Sequence, residues 1–128
     1  MNFLLDTHTF LWFLSDDKQL SPKAKKTIEH SGYTKYVSIV SLWEIAIKMN
    51  KGKLELAMPF SDLLQQMDSN GFEILPVSFQ HTLALCDLEH HHGDPFDRMI
   101  IAQSLTQQYI LISKDKSFKK YANLQLLW

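Results

Sequence analysis

Short apolar runs alternate along this chain with longer segments whose apolar residues recur every three or four positions. Phe3-Leu4-Leu5 is an uninterrupted apolar run cut off by Asp6, and it reads as a buried strand. Thr9 to Leu14 is apolar and helical. Ser21-Pro22 supplies an N-cap and a first-turn proline for a lysine-rich, exposed helix through about Glu29. Tyr36-Val37-Ser38 predicts a second strand. Leu42, Ile45, Ala46 and Met49 fall at helical spacing in a helix from about Ile39 to Lys51, stopped by Gly52. Pro59-Phe60-Ser61 opens a further helix through about Asp68. Phe72 to Val77 holds a third strand, and Ser78 caps a helix ending near Cys86 or Leu88. Asp94-Pro95 starts a helix to about Gln108. Tyr109 to Ser113 gives a fourth strand, Ser117 to Tyr121 a short helix, and Leu124 to Leu127 a possible fifth strand. Strands alternating with helices predict one α/β domain over residues 1–128, with a mostly parallel sheet of four to five strands flanked by helices.

In such sheets, function gathers at the carboxyl ends of the strands. Asp6 ends the first strand and Asp115 lies just past the fourth. Glu44 is in the first turns of the helix after the second strand, and Asp94 and Asp97 begin the helix leading into the fourth. The pattern directs these acids to one sheet edge. Carboxylates gathered there repel one another unless a cation neutralises them. An oxygen-rich set with open positions suits Mg²⁺ or Mn²⁺, ions that activate water and stabilise a phosphoryl transition state.

A local role competes at each position. Ser41-Leu42-Trp43-Glu44 matches a capping box, in which Glu44 would only bond the helix N-terminus. Asp94 fits an N-cap, Asp97 favours the helix dipole, and Asp115 fits a turn. Asp6 is the hardest to explain locally, because an acid after a buried apolar run is costly without a partner. Both readings stand at this point. His90-His91-His92 does not have the separated spacing of zinc ligands and reads as a solvated loop. Cys86 reads as core, and His8 as packing or bonding locally.

Composition narrows the picture. The hydrophobic fraction of 45% is ordinary, so one core forms without staples. The 13 basic and 14 acidic residues nearly balance, so any nucleic-acid contact must come from local patches. Lys48, Lys51, Lys53, Lys114 and Lys116 flank the acids as candidate phosphate contacts, with a solvated helix face as the alternative. The lone Cys86 excludes an intrachain disulfide and suits a reducing cytoplasm. The N-terminus lacks a basic n-region, and no apolar stretch is long enough to span a membrane.

Across essentially its whole length the chain resembles PIN-domain proteins, specifically VapC-type toxins of toxin–antitoxin pairs. The resemblance rests on Leu4-Leu5-Asp6-Thr7-His8, Ser38-Ile39-Val40-Ser41-Leu42-Trp43-Glu44-Ile45 and the Lys51-Gly52-Lys53-Leu54 turn. It continues through His92-Gly93-Asp94-Pro95-Phe96-Asp97-Arg98, Ile100-Ile101-Ala102-Gln103 and Ser113-Lys114-Asp115. It implies a Rossmann-like fold with a central parallel sheet and a Mg²⁺- or Mn²⁺-dependent endoribonuclease. It also implies a homodimer silenced by an antitoxin whose tail occupies the active-site groove. By position, Asp6, Glu44, Asp97 and Asp115 match the family's four acids, and Asp94 matches an additional acid. Thr7 and Ser113 match supporting hydroxyl positions, and Arg98 is placed to hold the acids or approach phosphate. A non-catalytic RNA- or protein-binding module and a metal-dependent phosphatase are the competing function classes, since fold alone does not choose among them. The apolar helix with Phe10, Leu11, Trp12, Phe13 and Leu14, or the helix around Leu63 and Leu64, is the expected dimer surface.

Overall fold

The central strand, β1 (Asn2–Leu5), pairs on one side with β2 (Thr34–Ser38) and on the other with β4 (Ile110–Ile112). Strand β3 (Phe72–Leu75) lies outside β2 and β5 (Leu126–Leu127) outside β4, giving the order β3-β2-β1-β4-β5 with every pairing parallel. The computed structural model describes all residues, Met1–Trp128. The expected fifth strand is present, though only two residues long. The third stops at Leu75, because Pro76 has no N–H to continue the ladder.

Six helices cover the sheet: α1 (Thr7–Ser15), α2 (Pro22–Glu29), α3 (Ile39–Asn50), α4 (Leu63–Ser69), α5 (Phe79–Cys86) and α6 (Pro95–Gln107). Alternate strand residues face opposite sides. Phe3, Leu5, Val37 and Ile112 join Phe10, Ala24, Ile28, Ile45 and Met67 in one core layer. Leu4 and Leu111 join Val40, Ile100, Ile101 and Phe118 in the other. Both faces are covered, which explains why the strands read as continuous apolar runs rather than alternating ones.

The chain runs outward from β1 through β2 to β3, then returns to β4 on the far side of β1. The strand order therefore reverses between β1 and β4, where parallel sheets open a crevice at their carboxyl ends. Asp6 follows β1 there, and Ser113 and Asp115 follow β4. The two strand ends are tied together. Asp6 N–H donates to Ile112 O, and Thr9 Oγ1 donates to the same carbonyl at 3.0 Å.

Two local expectations need correction. Cys86 is exposed at the last turn of α5 rather than buried in the core, because α5 turns only His81 fully inward. Helix α3 starts at Ile39, with Ser38 as its N-cap accepting from Val40 N–H. Ser41 is thus inside the helix, and the capping-box reading of Ser41 to Glu44 fails. The Ser38 hydroxyl also donates to Gln103 Oε1 at 2.5 Å, joining the start of α3 to the buried helix α6.

Candidate active site

Each acid owes its place to a strand or helix terminus. Asp6 is the N-cap of α1: Oδ1 accepts from Thr9 N–H at 2.9 Å, and Oδ2 accepts from Ser113 Oγ at 2.6 Å. The second bond crosses the crevice between β1 and β4. Asp6 is almost wholly buried, and burial raises its carboxyl above the usual range despite hydrogen bonds from Ser113 and Thr9 that oppose the rise.

Glu44 lies one and a half turns into α3 and is also buried. Its Oε1 accepts from the Thr7 hydroxyl at 2.7 Å, and Thr7 Oγ1 lies 2.9 Å from Ser41 Oγ. Its Oε2 pairs with Lys48 Nζ at 2.6 Å. Glu44 is therefore held toward α1 by tertiary contacts and caps nothing. Lys48, a candidate for phosphate or for a solvated helix face, here partners a buried carboxylate one helical turn away. That i,i+4 spacing is readable in the sequence.

Asp94 and Asp115 do what a local reading expects, and more. Asp94 caps α6, accepting from Asp97 N–H at 2.9 Å. Asp115 caps the short 3₁₀ turn Lys116–Lys120, accepting from Ser117 N–H and Oγ. Yet both also act on Asp97. Its carboxyl is pushed up to about 7, first by burial and then by the charges of Asp94, Asp6, Glu44 and Asp115. The charges of four acids thus bear on the fifth, which places all five in one electrostatic neighbourhood.

The supporting residues divide. Thr7 donates to Glu44 and Ser113 to Asp6, and Ser113 Oγ further accepts from Asp115 N–H at 3.1 Å. Arg98 does not hold the acids. Its guanidinium is buried and donates to the carbonyls of Glu89 and Leu88 and to the Tyr121 hydroxyl, so it fastens the 88–92 loop. Charge alone does not say which way a long side chain turns. The histidine loop also departs from expectation. His91 and His92 are half-buried against the Tyr121 ring, because Arg98 draws the loop inward, and His92 Nδ1 lies 2.6 Å from Tyr121 Oη.

A cavity of about 310 Å³ lies beside Asp6 and Asp115, also lined by His8, Trp12 and Lys114. Lys114 Nζ stands over the Trp12 ring at 5.7 Å, leaving a cation at the cavity wall. The donor chemistry fits a hard divalent cation, being all carboxylate oxygen. No three acidic, imidazole or thiol groups converge on one point, and of the five acids only Asp6 and Asp115 line this cavity.

A family model described as the PIN domain matches residues 3–124. Ribonuclease VapC22 of Mycobacterium tuberculosis is 27% identical over 118 residues, covering 92% of this chain and 90% of that protein. In fold, the chain is similar to VapBC2 from Rickettsia felis bound to a DNA fragment from its promoter, with a TM-score of 0.74 at 17% identity. That match covers 99% of this chain and 98% of the other. VapBC-1 from nontypeable Haemophilus influenzae gives 0.71 at 17% identity, covering 99% and 97%.

The raised carboxyls set the sign of a pH effect. Asp97 binds its proton more tightly folded than unfolded, so stability is greatest while the folded carboxyl is protonated and falls as pH rises from about 4 through about 7. Asp6 adds in the same direction. The metal-free protein should melt higher at pH 5 than at pH 8, and Asp97→Asn should melt above wild type at pH 8. Thermal melts in chelator check both. A wild type equally stable at the two pH values, or an Asn variant destabilised at pH 8, would contradict the repulsion.

Proposed function

Because the chain belongs to the PIN-domain family, we propose that it is a Mg²⁺- or Mn²⁺-dependent endoribonuclease, the toxin of a toxin–antitoxin pair. The observation that carries this reading is the pair of buried carboxylates beside the point where the sheet order reverses, Asp6 held by Ser113 and Glu44 held by Thr7. The ribonuclease relative adds the substrate class.

Asp6, Glu44, Asp94, Asp97 and Asp115 are the acids that would supply the ion's ligands, although no three of them meet at one point. When bound, a divalent cation offsets carboxylate repulsion, lowers the pKa of water and stabilises a phosphoryl transition state. The chain's own part is preorganisation. Ser113 and Thr9 fix both oxygens of Asp6, and Thr7 fixes Glu44, so neither reorients during the reaction. Lys114, at the cavity wall, and Lys116 offer charge to the RNA backbone; Lys48 is released to do so only where a cation replaces it at Glu44. No nucleophilic side chain is poised for a covalent intermediate, so water is the attacking group. In the families' shared chemistry the products carry 5′-phosphate and 3′-hydroxyl ends.

Two protein partners follow. An apolar cavity of about 270 Å³ between α1 and the 54–58 segment shares His8 and Trp12 with the acidic cavity. An antitoxin tail lying there would run directly over the acids, and the VapBC complexes among the structural neighbours support such a partner. For a second copy of this chain we favour a face on α3 and α5 over α1 or the helix around Leu63 and Leu64. Leu11, Trp12, Phe13 and Leu14 of α1 are half-buried against the core, whereas Trp43, Phe79 and Leu83 on α3 and α5 are 62%, 71% and 50% exposed beside an apolar hollow formed by Ile39, Val77 and Met99. Apolar surface gathered in this way marks interfaces.

Purified protein should cut RNA with Mn²⁺ and stop on addition of chelator. Glu44→Gln keeps an acceptor for Thr7 but removes the charge, and should lower cleavage by at least about a hundredfold. Wild-type cleavage by this variant would refute the role of Glu44; turnover of a phosphomonoester but not RNA would favour a phosphatase. Separately, light scattering should give twice the chain mass for wild type and the monomer mass for Trp43→Asp, whose charge lies outside the core. A wild-type monomer at high micromolar concentration would rule out the dimer, and an unchanged dimer in the variant would rule out this face.

A further inference from the structure

His92 belongs to the site, although its place in a run of three histidines suggested a solvated loop. Its imidazole packs on the Phe118 and Tyr121 rings, with centroids 5.5 and 5.6 Å away. Nε2 is buried, makes no hydrogen bond, and lies 3.8 Å from Asp97 Oδ2. Nδ1 lies 2.6 Å from Tyr121 Oη.

The neighbours decide where the ring proton sits. Arg98 Nη1 can only donate, and it points at Tyr121 Oη from 3.3 Å. The hydroxyl makes no third hydrogen bond, so its own proton is directed to His92 Nδ1. An accepting Nδ1 leaves the proton of the neutral ring on Nε2, the atom that faces Asp97. The order Arg98, Tyr121, His92, Asp97 thus directs one N–H toward the Asp97 carboxylate. At 3.8 Å this contact is longer than a hydrogen bond, and contacts in an unloaded site commonly tighten when the reacting complex forms.

We infer that His92 is a positioning residue for Asp97: its Nε2–H, oriented by the Tyr121 hydroxyl, aims the Asp97 carboxylate within the acidic site. This deepens the metal-dependent reading and rests on it. Partners that orient a metal-binding side chain typically govern affinity by about 10–100-fold. The competing role is ring packing alone.

Two variants separate these roles. His92→Gln keeps an N–H directed at Asp97 but gives up the ring; His92→Phe keeps the ring packing but has no donor. The measurements are Mn²⁺ affinity by calorimetry, RNA cleavage, and the ¹⁵N spectrum of the wild-type imidazole without metal. The expected result is an Nε2-protonated ring whose Nε2 signal moves in Asp97→Ala. His92→Phe should bind Mn²⁺ at least about tenfold more weakly and cleave correspondingly more slowly, while His92→Gln stays within about threefold of wild type. Affinity and cleavage retained by Phe and lost by Gln, equal effects in the two variants, or an Nδ1-protonated ring would overturn the inference. A wild type that binds no Mn²⁺ overturns the metal reading and this inference with it. Wild-type binding that is unaltered in His92→Phe overturns this inference alone.

Discussion

A buried carboxylate at the end of the central strand is the constraint on which the rest of the site depends. Asp6 sits where β1 stops, almost without contact with water. Its two oxygens are satisfied from opposite sides of the sheet's reversal point, by Thr9 N–H at the start of α1 and by Ser113 Oγ after β4. Each bond is also a piece of the fold, one capping a helix and the other joining the ends of β1 and β4. The charge is thereby held in place rather than tolerated. Burial still raises its pKa, so the hydrogen bonds offset only part of the cost of removing the group from water.

The other acids are assembled by the same economy of termini. Asp94 and Asp115 begin helical turns, and Glu44 is reached through Thr7, the first residue of α1. A helix start favours negative charge, and a parallel sheet brings its helix starts to one edge. The fold therefore accumulates carboxylates at termini that favour Asp94 and Asp115 singly, while the acids together repel one another. Asp97 bears the consequence, with its carboxyl pushed up to about 7. In the proposed ribonuclease, that stored repulsion is what a divalent cation relieves.

Strand and helix positions were legible because the apolar runs are uninterrupted and the caps are explicit: Ser21-Pro22 and Asp94-Pro95 each begin a helix where expected. The acids were legible because strand ends and helix starts can be found from that same pattern. Side-chain direction was not. Ser38 rather than Ser41 caps α3, since the helix begins as soon as β2 ends, and this frees Glu44 for Thr7. Arg98 turns toward the 88–92 loop rather than the acids, and the partner that explains it, Tyr121, lies 23 residues away. His92 and Tyr121 meet through that same long-range contact, which no spacing rule reports. The exposed apolar face on α3 and α5 was hidden for a related reason. An apolar residue in a helix is marked by sequence as buried, and only the packed fold shows Trp43 and Phe79 left outside.

The claim that these carboxylates form one site, poised for a cation, is tested most directly by following the side-chain carboxyl of Asp97 by ¹³C NMR as pH is varied, without and with Mg²⁺. Its midpoint should lie near 7 in the metal-free protein, and Mg²⁺ should move it down, because the ion favours the charged form. A midpoint at the ordinary aspartate value without metal, or one that Mg²⁺ leaves in place, would contradict the account.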